Sequence, residues 1–122
     1  MAQTYTDKPT LAAWNAVESA VAEKCEIVFG SYTGDGTQIR TIDLGFTPKW
    51  VLLFDKYGYS TTGGLCHGGL ATQDCPLENP NNLDPPCLTI VNGGIRLNAG
   101  NSGNNNSQVN KNRLRYQYLA GK

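Results

Sequence analysis

Gly30-Ser-Tyr-Thr-Gly-Asp-Gly-Thr-Gln-Ile-Arg-Thr-Ile-Asp-Leu-Gly-Phe-Thr-Pro-Lys-Trp-Val-Leu-Leu-Phe-Asp55 holds, in one run, a tight turn, an alternating strand, a corner and an apolar strand. Gly34-Asp35-Gly36 offers two residues that enter left-handed backbone at little cost, beside an Asp able to bond its own main chain, so a reversal is expected there. Ile39, Ile42 and Leu44 then supply an apolar strand. From Ile42 to Phe46 the alternation is clean, with Thr41, Asp43 and Gly45 on the other side, which predicts one buried face. Pro48 lacks a backbone donor and sits where a new strand begins. The following Trp50-Val-Leu-Leu-Phe54 reads as a strand buried on both faces.

Turn and strand signals continue along the chain. Strands are expected at about 25–32, 38–44, 49–57, 64–71, 87–91, 95–99 and 113–120, and seven short strands suggest a sandwich. The sharpest local signal is Asn92-Gly93, whose left-handed turn matches the twist of the strands on either side. Two stretches read as long surface loops: 73–86, rich in Pro, Asn and Asp, and 100–112, polar and poor in apolar groups.

Before the β region the period changes. Leu11, Trp14, Val17 and Val21 recur at helical spacing in an alanine-rich segment, with Pro9 at its start, predicting a short N-terminal α-helix ending near residue 23. Its apolar stripe either packs on the chain's own β domain or lies on a threefold axis. The chain thus divides into an N-terminal arm with an oligomerisation helix, 1–24, and a β domain, 25–122.

Composition removes several functions. The 122 residues carry 10 Lys and Arg against 10 Asp and Glu, a net charge of zero, so the electrostatic footprint of nucleic-acid binding is missing. No apolar run approaches the roughly 20 residues of a membrane span, and no basic-then-apolar signal pattern opens the chain, so a protein made in the cytoplasm without membrane insertion is expected. Of the enzyme signatures, Gly-x-Ser-x-Gly, the phosphate loop and His-Glu-x-x-His are all missing, and no spacing pairs Asp35, Asp43, Asp55, Asp74 or Asp84 for glycoside cleavage. No enzyme and no cofactor is expected. Cys66, His67, Cys75 and Cys87 are weak zinc candidates, since adjacent ligands at 66 and 67 are awkward and no Cys-x-x-Cys knuckle is present. Free thiols are the default reading of the four cysteines.

Three motifs carry a resemblance. Gly30-x-Tyr32-x-Gly34-Asp35-Gly36, Arg40-x-Ile42-x-Leu44-Gly45-Phe46-x-Pro48-Lys49 and Tyr116-x-Tyr118-x-Ala120-x-Lys122 resemble the small C-terminal domains of bacteriophage tail-fibre and receptor-binding proteins. The Leu11-Ala-Ala-Trp-Asn-Ala-Val-Glu18 helix is similar to one that often precedes them. The resemblance implies an all-β, antiparallel, jelly-roll-like β-sandwich in a homotrimer, located in the virion among other virion proteins. It also implies variable loops turned to the host surface, and tips the helix towards the trimer axis. Nothing in the shared motif is catalytic. The expected function is a virion adhesin for a host cell-surface saccharide; the alternative is a purely structural virion protein, a head fibre, capsid decoration or tail subunit without ligand.

Saccharide binding needs rings that lie on a pyranose face and amides that both donate and accept. Tyr57, Tyr59 and His67 are the ring candidates, Asn104, Asn105 and Asn106 the amide candidates. The same tyrosines could equally cap the core or line a subunit contact.

Overall fold

The computed structural model describes residues 26–80, 85–99 and 106–122. Within them the chain is all β, in nine strands: β1 (Ile27–Thr33), β2 (Ile39–Asp43), β3 (Trp50–Asp55), β4 (Thr61–Thr62), β5 (Leu65–Cys66), β6 (Gly69–Thr72), β7 (Leu88–Val91), β8 (Gly94–Asn98) and β9 (Arg115–Gly121). All pairings between these strands are antiparallel. They form a four-stranded sheet in the order β1-β9-β3-β6, a three-stranded sheet β2-β8-β7 and the small hairpin β4-β5.

One core joins the two larger sheets. Across the four-stranded sheet the register sets Val28, Ala120, Val51 and Ala71 in one row, Gly30, Tyr118, Leu53 and Gly69 in the next, and Tyr32, Tyr116 and Asp55 in a third. Ala120, Val51, Ala71, Leu53, Tyr32 and Tyr116 of these rows are buried in a single cluster with Leu88, Ile95 and Leu97 of the three-stranded sheet, and Ile42, Leu44 and Phe46 pack against it. Each fully buried Val, Leu or Ile contributes about 1.5–3 kcal/mol relative to an exposed one. The row through Gly30 shows how close the fit is. A methyl group at Gly30 would fall 2.1 Å from the Tyr118 ring, so the tyrosine lies across β1 only because that position has no side chain.

Several expectations are met by the described residues. The strands at 27–33, 39–43, 50–55, 88–91, 94–98 and 115–121 stand within two or three residues of the predicted bounds. The Asn92-Gly93 reversal is a two-residue hairpin between β7 and β8, with Gly93 at φ 83°. In the first turn Asp35 Oδ1 accepts from the Thr37 amide and hydroxyl, at 3.0 and 2.6 Å.

Other expectations are corrected. The predicted strand 64–71 is two short strands, β5 and β6, because His67 and Gly68 both turn their amides to the Ser60 carbonyl and break the ladder. Residues 106–112 are not a loop poor in core contacts: Val109 is fully buried, and buried Asn110 reaches back to Asp35 and Thr37. Part of 73–86 is also tied down, since Leu77 exchanges backbone hydrogen bonds with Leu88.

β3 is not buried on both faces. Val51, Leu53 and Asp55 point inward, while Leu52 is exposed and Trp50 and Phe54 are half-covered. Leu52 belongs to a second row, Phe29, Leu119, Leu52 and Leu70, that crosses all four strands on the outer face. Its ends are open: Phe29 is 75% and Leu70 56% exposed among the described residues. The helix expected over 9–23, with Leu11, Trp14, Val17 and Val21, and the arm of which it is part lie outside the described residues.

The fit of Gly30 against Tyr118 gives a prediction. Gly30→Ala is expected to cost about 1–3 kcal/mol through overpacking, read as a lower urea midpoint at unchanged slope. A midpoint equal to that of the unmodified chain would remove this contact from the core's requirements.

Candidate functional site

Asp55 ends β3, is 2% exposed, and organises the chain that follows. Its Oδ1 accepts from the amides of Tyr57 and Tyr59 at 2.9 and 3.0 Å, and its carbonyl accepts from Gly58 at 3.0 Å. Hydrogen bonds that backbone amides donate to a carboxylate are among the stronger ones available, and they close the turn without help from the side chains it displays. Tyr57 and Tyr59 therefore stand out from the surface, 66% and 54% exposed, with ring centroids 6.3 Å apart and planes inclined at 38°. Lys56 Nζ lies 4.8 Å from the centroid of the Tyr57 ring.

The β4-β5 hairpin brings His67 to the same place. Its amide donates to Ser60 O at 2.8 Å. Its ring points at Asp55 and Thr62: Nδ1 is 3.5 Å from Asp55 Oδ2, within ion-pair reach but long for a hydrogen bond, and Nε2 is 2.7 Å from Thr62 Oγ1.

A third wall comes from far along the chain. Lys111 to Leu114 is a turn closed by the Leu114 amide on Lys111 O, 3.1 Å, with Arg113 in the left-handed region at φ 69°. The Arg113 amide donates to Gly34 O at 2.9 Å. The segment before it is fixed by two phenols. Tyr32 donates to Val109 O at 2.6 Å, while Tyr116 donates to Gln108 O and accepts from the Lys111 amide at 3.0 Å. Burial pushes both phenols up, Tyr116 to about 12, so each stays a donor at neutral pH.

These pieces line an open cleft of about 470 Å³, formed by Asp55, Tyr57, Tyr59, Thr62, His67 and the residues from Lys111 to Leu114. Its volume falls in the range that small-molecule sites occupy. The three ring candidates of the sequence are thus brought together. The amide candidates are not placed with them: Asn106 uses its carbonyl to accept from Cys66 N at 2.7 Å and does not line the cleft, and Asn104 and Asn105 lie outside the described residues. Lys111, Asn112 and Arg113 were missed by sequence reasoning, because nothing in a polar run marks which members a distant strand will hold beside Tyr57.

The carboxylate, imidazole and hydroxyl of Asp55, His67 and Thr62 stand in the order of a hydrolytic triad. Acyl transfer also needs donors aimed at the developing oxyanion. The amides of Tyr57 and Tyr59 are committed to the Asp55 carboxylate, and the contacts with Asp55 and Thr62 set the His67 ring as a wall of the cleft.

The four zinc candidates are dispersed. Cys66 and Cys87 meet in the core, where the hydrogen bond between the two thiols and burial push Cys66 up. Cys75 is exposed in the turn after β6, and His67 turns to Asp55. Among the described residues no three His, Cys, Asp or Glu side chains gather where they could hold a metal.

Comparison of the chain with family profiles, with curated proteins and with solved structures gives no match. Any chemistry attributed to the cleft therefore rests on its own geometry.

Asp55→Ala is expected to lower stability by about 1–3 kcal/mol, since it leaves two amides without their acceptor. In hydrogen exchange the Tyr57 and Tyr59 amides should lose protection before those of β9; unchanged protection would show that the turn holds without the carboxylate.

Proposed function

We propose that the protein is a bacteriophage virion protein, a tail-fibre or tail-tip adhesin whose cleft at Tyr57, Tyr59 and His67 binds a host cell-surface saccharide. The observation that carries this reading is the convergence of two exposed, mutually inclined tyrosine rings with a fixed imidazole in one cleft of about 470 Å³. Rings of this kind cover the apolar face of a pyranose, while Thr62 and Asn112 offer hydroxyl and amide partners at the rim.

The proposal includes a jelly-roll-like β-sandwich. The strand orders β1-β9-β3-β6 and β2-β8-β7 support it, since the first strand lies beside the last and the second beside the one before it, in different sheets. It also includes a homotrimer. The outer row of Phe29, Leu119, Leu52 and Leu70, continued by Ile27 and half-covered Trp50, supports self-association, because an apolar band across a whole sheet is larger than isolated surface residues require. Each subunit would add one weak site, and three would act by avidity. The apolar band favours a second reading as well, a structural virion protein that docks on a neighbouring virion component and binds no ligand.

A glycan array separates the two readings. Binding above background to a defined saccharide class, weakened about tenfold or ~1.4 kcal/mol by Tyr57→Ala or Tyr59→Ala, is the expected result; a uniformly blank array would sink the adhesin reading.

The trimer is tested by light scattering. A mass three times that of the chain is expected, reduced by Phe29→Lys combined with Leu70→Lys, and a monomeric unmodified chain at micromolar concentration would contradict it.

A further inference from the structure

The charge of the cleft is at odds with that of the chain. The sequence is neutral overall, yet the cleft wall presents Lys111 and Arg113, and a third cation, Lys56, sits over the Tyr57 ring at its edge. The one carboxylate lining the cleft, that of Asp55, leaves its lining with two cations against one anion. Asp55 is buried, with Oδ1 on the amides of Tyr57 and Tyr59 and Oδ2 towards His67. Among the described residues, neither Lys111 nor Arg113 has a carboxylate within ion-pair reach, whereas Arg40 and Lys122 are matched to Asp35 and Glu26.

The backbone under Arg113 points the same way. Among the described residues it alone, apart from glycines, has a left-handed φ, and it holds the third position of the turn from Lys111 to Leu114. Glycine or asparagine fills such a position without strain, and an arginine does not. What an arginine adds there is its guanidinium, a planar fork of donors that pairs with a carboxylate or phosphate through two parallel hydrogen bonds. The strain is thus borne by a residue that lines the cleft.

We infer that the cleft selects an acidic saccharide, a pyranose carrying a carboxylate or phosphate, with Arg113 and Lys111 receiving the anion while Tyr57 and Tyr59 cover the ring. This rests on the cleft being a saccharide site. The backbone beneath the two cations is already fixed, the Lys111 amide on the Tyr116 phenol and the Arg113 amide on the Gly34 carbonyl, so capture of the anion orders only their side chains.

The test is titration calorimetry with the full chain and matched pairs of probes: trigalacturonate against its methyl ester, and glucose 1-phosphate against glucose. At low salt at least one acidic member should bind tenfold or more tightly than its neutral partner, and the advantage should shrink as salt rises. The pair with the larger advantage identifies carboxylate or phosphate as the anion. Arg113→Gly should abolish the advantage while its thermal midpoint stays equal to or above that of the unmodified chain, because glycine accepts the left-handed turn. Lys111→Gln should reduce the advantage without altering the turn. Equal binding of acidic and neutral members overturns the anion preference and leaves the saccharide site standing. No binding by any of the four probes, together with a blank glycan array, overturns both. An unchanged preference in Arg113→Gly, or a lowered midpoint, overturns the role given to Arg113.

Discussion

Tyr32 and Tyr116 face one another on neighbouring strands, their rings stacked with centroids 5.0 Å apart and planes within 15°. Each directs its hydroxyl to the backbone of residues 108–111, one from β1 and one from β9. Buried phenols without partners would be costly, so the stack and the segment beyond it require each other. Through this contact the polar stretch before β9 is drawn against the core, Val109 is buried, and the turn carrying Lys111 and Arg113 is set beside the turn carrying Tyr57 and Tyr59. Arg40 joins the arrangement from the other sheet, over the Tyr32 ring at 5.5 Å and with a hydrogen bond of 2.7 Å to Thr33 O.

The frame and the cleft share only a few residues, among them Asp55 and Leu114. Val51, Leu53, Ile95, Leu97 and Ala120 make the core and take no part in the cleft. Tyr57, Tyr59 and Asn112 line the cleft and take no part in the core; the turns beneath them are closed by Asp55 and by main-chain bonds. His67 spans both roles, held by the frame through Asp55 while its ring forms a wall.

The frame was largely legible in the sequence because its signals are local. Asn92-Gly93, the Gly34-Asp35-Gly36 reversal and the alternation of Tyr116, Tyr118 and Ala120 each act over a few residues, and each stands where it was expected. Leu52 was misread for a related reason: an apolar run shows that a strand forms, and only the sheet's neighbours decide whether its second face is covered. The rings of the cleft could be guessed as a class, since exposed aromatic residues in a turn are unusual. Lys111 and Arg113 could not, because their nearness to Tyr57 depends on two phenols remote in sequence. The left-handed backbone of Arg113 likewise leaves no mark in a sequence that places no glycine there.

β9 lies between β1 and β3, so the four-stranded sheet has no continuous middle until that strand is in place. Closing it joins segments separated by nearly the whole domain, a pairing whose loop entropy must be overcome before the contacts return anything. Earlier in synthesis β3 can find β6 and β7 can find β8, but β1 has no partner and the apolar faces of both sheets stay open to solvent or to other chains. The interval before β9 arrives is therefore when this chain is most exposed to misassembly.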